Sequence, residues 1–211
     1  GLDIEGAIIT IYAIGCQKEI AKQIIDKKGH YLLSLKENQL DLFEDTKLGF
    51  KLKSTDCFSD EWEYSSARFE TRKCSVIAAK DVLLEENLSA WAGLKTLIKI
   101  ESTRQIDGNT TEETRYYISS EEGFSACYYN SLVRGHWGIE NKLHWHLDVT
   151  FREDACRARK GYAAENLSAL RKLCLQIIKN QKDKLSLRKR RLKAAYSIEY
   201  LEQLLLQISC V

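Results

Sequence analysis

The stretch HWGIENKLHWHLD, His136 to Asp148, gathers groups able to do chemistry: His136, Glu140, His144 and Asp148 recur at every fourth position among apolar residues. On a helix, residues three and four apart share a face, so Glu140 stands between His136 and Trp137 on one side and Leu143 and His144 on the other. A carboxylate in so apolar a setting needs a cation, a hydrogen-bonded partner or a raised pKa, because an unpaired buried charge is costly. A divalent ion held by oxygens from several elements meets that need, since hard Mg²⁺ takes oxygen ligands and leaves positions open for phosphate oxygens. Two other arrangements compete. Glu140 could pair with Arg134, Lys142 or a neighbouring helix, the common fate of a helical glutamate. Zinc held by His136, Glu140 and His144 is a weaker alternative, because the H-E-x-x-H spacing is absent.

Basic residues follow. Arg152, Arg157, Arg159 and Lys160 crowd a short polar connection, and LSLRKRRLK, Leu185 to Lys193, carries five basic residues in nine positions, Arg188, Lys189, Arg190 and Arg191 among them. Such density neutralises phosphates without reading sequence; the plain counterpart is a solvated helix face. The chain as a whole is nearly balanced, at +2, but holds 16 basic against 20 acidic residues up to Ile118 and 16 against 10 after it. The basic surplus of the C-terminal part favours a polyanionic partner. Trp137 and Trp145 could stack on bases, with core packing the more ordinary use.

A site of this kind needs a scaffold to place it. With 211 residues, 44% of them hydrophobic, the chain can bury a core of its own, as one domain or one domain carrying an insertion. AIITIYAIG, Ala7 to Gly15, reads as a buried strand; Gln17 to Lys28 as a helix with Gly29 at its C-terminal cap; YLLSLK, Tyr31 to Lys36, as a second strand. Strand, helix and strand in so short a span form a βαβ unit with a parallel pair. From about Asp41 to Ser120 alternating segments predict a partly solvated antiparallel sheet, with a hairpin turn at Asp107-Gly108. Helices are expected from Phe124 to His146, Ala163 to Gln181 and Ile198 to Gln207.

The seven cysteines show no C-x-x-C pair, which suits small hydrophobes in a reducing compartment. With no long apolar run and no charged-then-apolar leader, the reading is a soluble, cytoplasmic protein without a membrane. The chain has no proline and no methionine; the missing start residue reads as a fragment or a processed protein, and the missing prolines as an edited or unusually drifted sequence.

Several segments together resemble a known family, the DDE transposases of the H-repeat-associated group, bacterial insertion-sequence proteins with an RNase H-like core. The resemblance is carried by TIYAIGCQKEIAKQII (Thr10 to Ile25), YLLSLKENQ (Tyr31 to Gln39), RFETRK (Arg68 to Lys73), RGHWGIENKLHWHLDVTFREDACR (Arg134 to Arg157) and ENLSALRK (Glu165 to Lys172). The fourth is long and specific. The resemblance implies DNA cutting and joining, in which two Asp and one Glu hold two Mg²⁺ (or Mn²⁺) ions during in-line attack on a phosphodiester. Glu140 matches the catalytic, metal-binding Glu, and Arg134, His136 and Asn141 become its neighbours, positioning it or the DNA. The second Asp falls at Tyr12, a phenol and a poor Mg²⁺ ligand at neutral pH. The first Asp belongs upstream of residue 1, together with an N-terminal DNA-binding part.

The expected fold is therefore α/β: a partial RNase H-like core in a single domain, with a βαβ unit over residues 1–40, a β-rich insertion over 41–120 and a helical C-terminal region over 121–211. An incomplete sheet exposes an unpaired edge, to be covered by the N-terminal part of the same protein or by a second copy. The expected function is that of a transposase-derived protein of the bacterial cytoplasm with DNA, the insertion-sequence ends and target, as its partner. With Tyr12 in place of the second Asp the chain itself is expected to be catalytically silent; the alternative is a non-enzymatic DNA-binding or scaffold module.

Overall fold

β1 (Ile8–Ile11) and β2 (His30–Leu35) run parallel, Ile8 opposite His30 and Ile11 opposite Leu33, and α1 (Lys18–Asp26) connects them. This is the expected βαβ unit, seen in a computed structural model that describes residues 3–53, 55–65, 68–139 and 143–207. The first strand is shorter than the apolar run suggested. A 3-10 turn over Ala13–Gly15 ends it, and Gly15 is required there because a Cβ would collide with the Ile11 side chain.

α1 buries Ala21 and Ile24, and its end corrects the expected cap. The left-handed residue is Lys28, at φ +57°, with Lys28 N donating to Ile25 O at 2.8 Å and Gly29 N to Ile24 O at 3.0 Å. Gly29 serves close approach instead: a Cβ there would lie 3.0 Å from Ile4 O. A lysine in the left-handed region is strained where glycine is not. Lys28→Gly is therefore expected to stabilise the chain by about 0.5–1 kcal/mol in a denaturant titration, the exposed Lys28–Glu5 ion pair at 3.2 Å being worth little.

The segment expected to begin the β-rich insertion is first a helix, α2 (Leu40–Leu52), whose Leu42, Thr46 and Gly49 are buried at helical spacing. Gly49 lets α2 approach Val82, whose methyl a Cβ would strike. After it come β3 (Asp56–Ser65), β4 (Arg68–Ala78), the short α3 (Glu85–Ser89), β5 (Thr96–Ile106) and β6 (Asn109–Ser119). β5 and β6 are joined at Asp107 and Gly108, both with positive φ (+48° and +80°), as a tight hairpin requires. β6 then pairs antiparallel with β2, Ile118 opposite Leu33. The antiparallel strands thus extend the parallel pair into one six-stranded sheet, ordered β1-β2-β6-β5-β4-β3.

One face of this sheet carries the main core: Tyr31, Leu33, Leu35, Ile77, Leu97 and Ile118 pack with Ala21, Ile24, Leu42, Trp91 and Leu94 of the segments covering it. Side chains of that size each contribute about 1.5–3 kcal/mol on burial.

The chain divides into two compact units, Gly1–His136 and Trp137–Val211, with the division inside α4 (Ala126–Ile139). Of the long helix expected from Phe124 to His146, the described parts are α4 up to Ile139 and then Leu143 and His144 in a wider π-type turn, followed by α5 (Trp145–Phe151). The second unit continues with α6 (Ala163–Asn180), α7 (Leu187–Tyr196) and α8 (Ile198–Leu206). Ile178, Tyr200 and Leu204 form its core with Phe151, Ile177, Leu187 and Ala194 around them. LSLRKRRLK thus lies largely on a helix, α7. Among the described residues no helix is long and apolar enough to cross a membrane.

Candidate functional site

Tyr12 follows the carboxyl end of β1, and α4 brings His136 against it. α4 is held by its buried face, Ala126, Tyr129, Asn130, Val133 and His136, spaced three and four apart. Its first turn is anchored electrostatically: the Ala126 amide donates to Asp56 Oδ2 at 2.9 Å, an anion at a helix N-terminus. Tyr129 Oη donates to Glu121 O at 3.0 Å, and Thr96 Oγ1 to the same oxygen at 2.5 Å. At the far end His136, 5% exposed, hydrogen-bonds Thr10 Oγ1 through Nδ1 at 3.0 Å, and its ring lies 4.3 Å from that of Tyr12. The Thr10 bond fixes how α4 is rotated over β1, so the His136–Tyr12 contact is built into the packing.

Tyr12 and His136, two of the residues singled out in the sequence, are thus brought together. Arg134 is exposed on α4 and pairs with Asp60 Oδ2 at 3.6 Å. Glu140 and Asn141 lie outside the described residues. Sequence reasoning missed a charged network on the same sheet face: Glu70, 5% exposed, lies 3.5 Å from Arg72 and 3.4 Å from Arg104. Burial pulls the Arg72 guanidinium down while the Glu70 carboxylate opposes the shift. The alternation in FETRKCS, which puts Glu70, Arg72 and Cys74 on one face, was the available signal.

The basic residues of the second unit divide. Arg152, Arg157, Arg159 and Lys160 are exposed, and so are Arg188 and Lys189. Arg190 is not available to an outside partner. It is 9% exposed, donates from Nε to Asp183 Oδ1 at 2.6 Å and from Nη1 to Ile178 O at 3.0 Å. Arg191 donates to Thr150 O and lies over the Phe151 ring, 5.6 Å from its centroid. The reason is helical geometry: residues 188–191 advance by about 100° each, so four consecutive cations cannot all face solvent. The DNA-binding role expected of Arg190 is therefore replaced by a structural one.

Among the described residues no three His, Cys, Asp or Glu side chains stand close enough to hold a metal ion, for magnesium or for the zinc alternative. The Asp148 carboxyl is raised by burial and by the Asp154 and Glu153 carboxylates, without forming such a group. At the end of β1 the available group is a phenol. The described residues on their own do not fit a divalent-metal centre. The six described cysteines are free. Burial pushes the Cys16 and Cys74 thiols up to about 12, which suits packing groups, whereas the Arg171 hydrogen bond lowers Cys156.

Comparison with known proteins bears on these positions. A family model described as "Transposase DDE domain" matches residues 13–177. The chain is 39% identical over 214 residues to the "H repeat-associated putative transposase YhhI" of Escherichia coli K12, a match covering 97% of this chain and 56% of that one. It is 39% identical, over the same share of each, to "Putative protein YbfL" of that strain. It is 38% identical over 217 residues to "Putative transposase YncI" of Escherichia coli O157:H7, covering 99% and 55%. The chain spans little more than half the length of the curated relatives it matches.

Proposed function

Because the chain belongs to the transposase DDE-domain family, we propose that it descends from a DNA strand-transfer enzyme and acts as a DNA-binding domain that is chemically silent by itself. The mixed α/β fold, with its six-stranded sheet, is consistent with the RNase H-like architecture of that family. One observation carries the proposal. His136, four residues before Glu140 in the sequence, rests on Tyr12; this contact supports the reading in which the catalytic-Glu motif and the second-Asp position belong to one site, with a phenol at the latter.

The family implies divalent-metal chemistry on phosphodiesters, the metal supplying Lewis acidity when bound. In the proposed reading Glu140 is the remaining ligand, His136 orients its segment through Thr10, and Tyr12 leaves the ligand set short of a carboxylate. The DNA contacts fall to the exposed cations Arg134, Arg152, Arg157, Arg159, Lys160, Arg188 and Lys189, with Asn141 beside the site. The domain acts in the bacterial cytoplasm, and the outer edge of β1 is covered by the N-terminal part of the same protein or by a second copy.

Duplex DNA binding by the purified chain is expected to weaken linearly in log affinity against log salt. Engagement of four to six phosphates gives a slope near −4 to −5, so a fourfold rise in salt costs about two to three powers of ten. A flat salt dependence, or no binding, leaves a scaffold role and removes the proposal. In the same preparation, Mg²⁺ or Mn²⁺ should support no strand cleavage above background; cleavage that disappears on Glu140→Ala would overturn the silent reading.

A further inference from the structure

Beside Tyr12, at the carboxyl ends of the parallel pair β1 and β2, lies a cavity of about 540 Å³. Its wall includes the turn that follows Tyr12, and Ile14 at the rim is 85% exposed, an unusual position for a large apolar side chain. Crevices at the carboxyl ends of parallel strands are the customary ligand positions of open α/β sheets. The lining combines two kinds of chemistry. Phe43 and Tyr116, packed edge to face with centroids 5.4 Å apart, and Ile14 offer flat apolar surface. Lys36, Arg115, Asn38 and Ser34 offer polar groups.

These groups are held in place. Asn38 donates through Nδ2 to Ala13 O at 2.8 Å, which locks the turn after Tyr12 to the segment following β2 and fixes where the amide oxygen lies. Arg115 donates to Glu113 Oε1 at 2.6 Å, while Lys36 makes no ion pair among the described residues. Glu37 and Glu113 also line the space, so the two cations face two carboxylates. With Arg115 held by Glu113, Lys36 is the lining cation without an ion pair among the described residues, and one such cation beside an aromatic wall suits a ligand with one negative charge, a flat face and a hydrogen-bonding edge. A nucleotide within a DNA strand is such a ligand, since it brings one phosphodiester charge and one base.

We infer that this cavity receives one nucleotide of a single-stranded DNA segment, with its base against Tyr116 and Ile14 and its phosphate toward Lys36. The inference rests on the DNA-binding reading above and adds a strand-specific subsite to it. The test uses the full chain and two variants at exposed positions, Lys36→Ala and Ile14→Asp, with unchanged melting temperature as the folding control. The affinity of a fluorescein-labelled single-stranded oligothymidylate is read by anisotropy over a range of salt.

Lys36→Ala is expected to weaken single-strand binding about fivefold to tenfold and to make the salt slope shallower by about 0.7, the loss of one single-strand phosphate contact. Ile14→Asp is expected to weaken it more than tenfold, while both variants hold duplex DNA within twofold of the parent chain. Free thymidine monophosphate should not compete at equal concentration. If the parent binds single strands and both variants match it, or if the free nucleotide competes as well as the strand, the subsite assignment is wrong and the DNA-binding reading survives. If the parent binds neither single strands nor duplex, the DNA-binding reading falls and the subsite falls with it.

Discussion

Arg190→Ala is expected to unfold the second unit several degrees earlier than the parent chain, while Arg188→Ala, two residues away on the same helix, should leave its melting temperature unchanged. Arg190 links the end of α6, the following loop and α7: it donates to Ile178 O at 3.0 Å, to Asp183 Oδ1 at 2.6 Å and to Asp183 O at 2.5 Å. Tyr200 of α8 donates to the other Asp183 oxygen at 2.5 Å, so three helices meet at one carboxylate and one guanidinium. Removing the buried guanidinium leaves the buried Ile178 carbonyl and the partly exposed Asp183 carboxylate without their donor, which destabilises the packing of these helices. Arg188 is exposed and holds nothing comparable. On the proposed DNA-binding reading, DNA titration is expected to give the reverse ranking: Arg188→Ala should weaken binding and flatten the salt slope by about one unit, whereas folded Arg190→Ala should leave the slope as it was. A slope lowered by Arg190→Ala, or a melting temperature unaffected by it, would refute the structural assignment.

The same cluster sets an acid limit. The Tyr200 hydrogen bond, then the Leu185 amide and Arg190, hold the Asp183 carboxyl below the usual carboxylate range. Because the folded value is the depressed one, its stabilising contribution is complete above the ordinary unfolded pKa and is lost as pH falls through the folded value. Unfolding of the parent chain followed by circular dichroism should therefore become acid-sensitive below the ordinary range, and Asp183→Asn should remove that part of the dependence.

The second large effect concerns Tyr12. On the proposed reading, Tyr12→Asp restores a carboxylate and creates a divalent-ion site that the parent chain lacks. Calorimetry with Mn²⁺ should give no measurable heat for the parent and at least a tenfold gain in affinity for Tyr12→Asp, abolished by adding Glu140→Ala. The substitution also removes the ring packed at 4.3 Å from His136, at a cost of about 1 kcal/mol. Folding is therefore checked alongside metal binding. A folded Tyr12→Asp chain that binds no metal, or binds it equally without Glu140, removes the support for pairing these two positions. Gain of metal without strand cleavage would fit the proposal of a domain that is chemically silent by itself.

Much of the scaffold was legible because it depends on local pattern. The apolar run from Ala7, the helical spacing of Ala21 and Ile24, and the Asp107-Gly108 turn each state their geometry within a few residues. α2 was not legible, because its buried positions Leu42, Thr46 and Gly49 include only one strong hydrophobe, and Gly49 fits only where Val82 closes over it. The candidate site was legible in its parts. Tyr12 and the motif around His136 stand out by type and by family pattern, yet they are 124 residues apart, and their meeting depends on how α4 lies across β1. The basic run shows the same limit. Sequence determined that Arg188 to Arg191 are four consecutive cations, and the 100° step of a helix ensures that they point different ways. Only the packing of α6, α7 and α8 around Asp183 decided that Arg190 is the one turned inward, because burial and charge pairing depend on which elements come together in space.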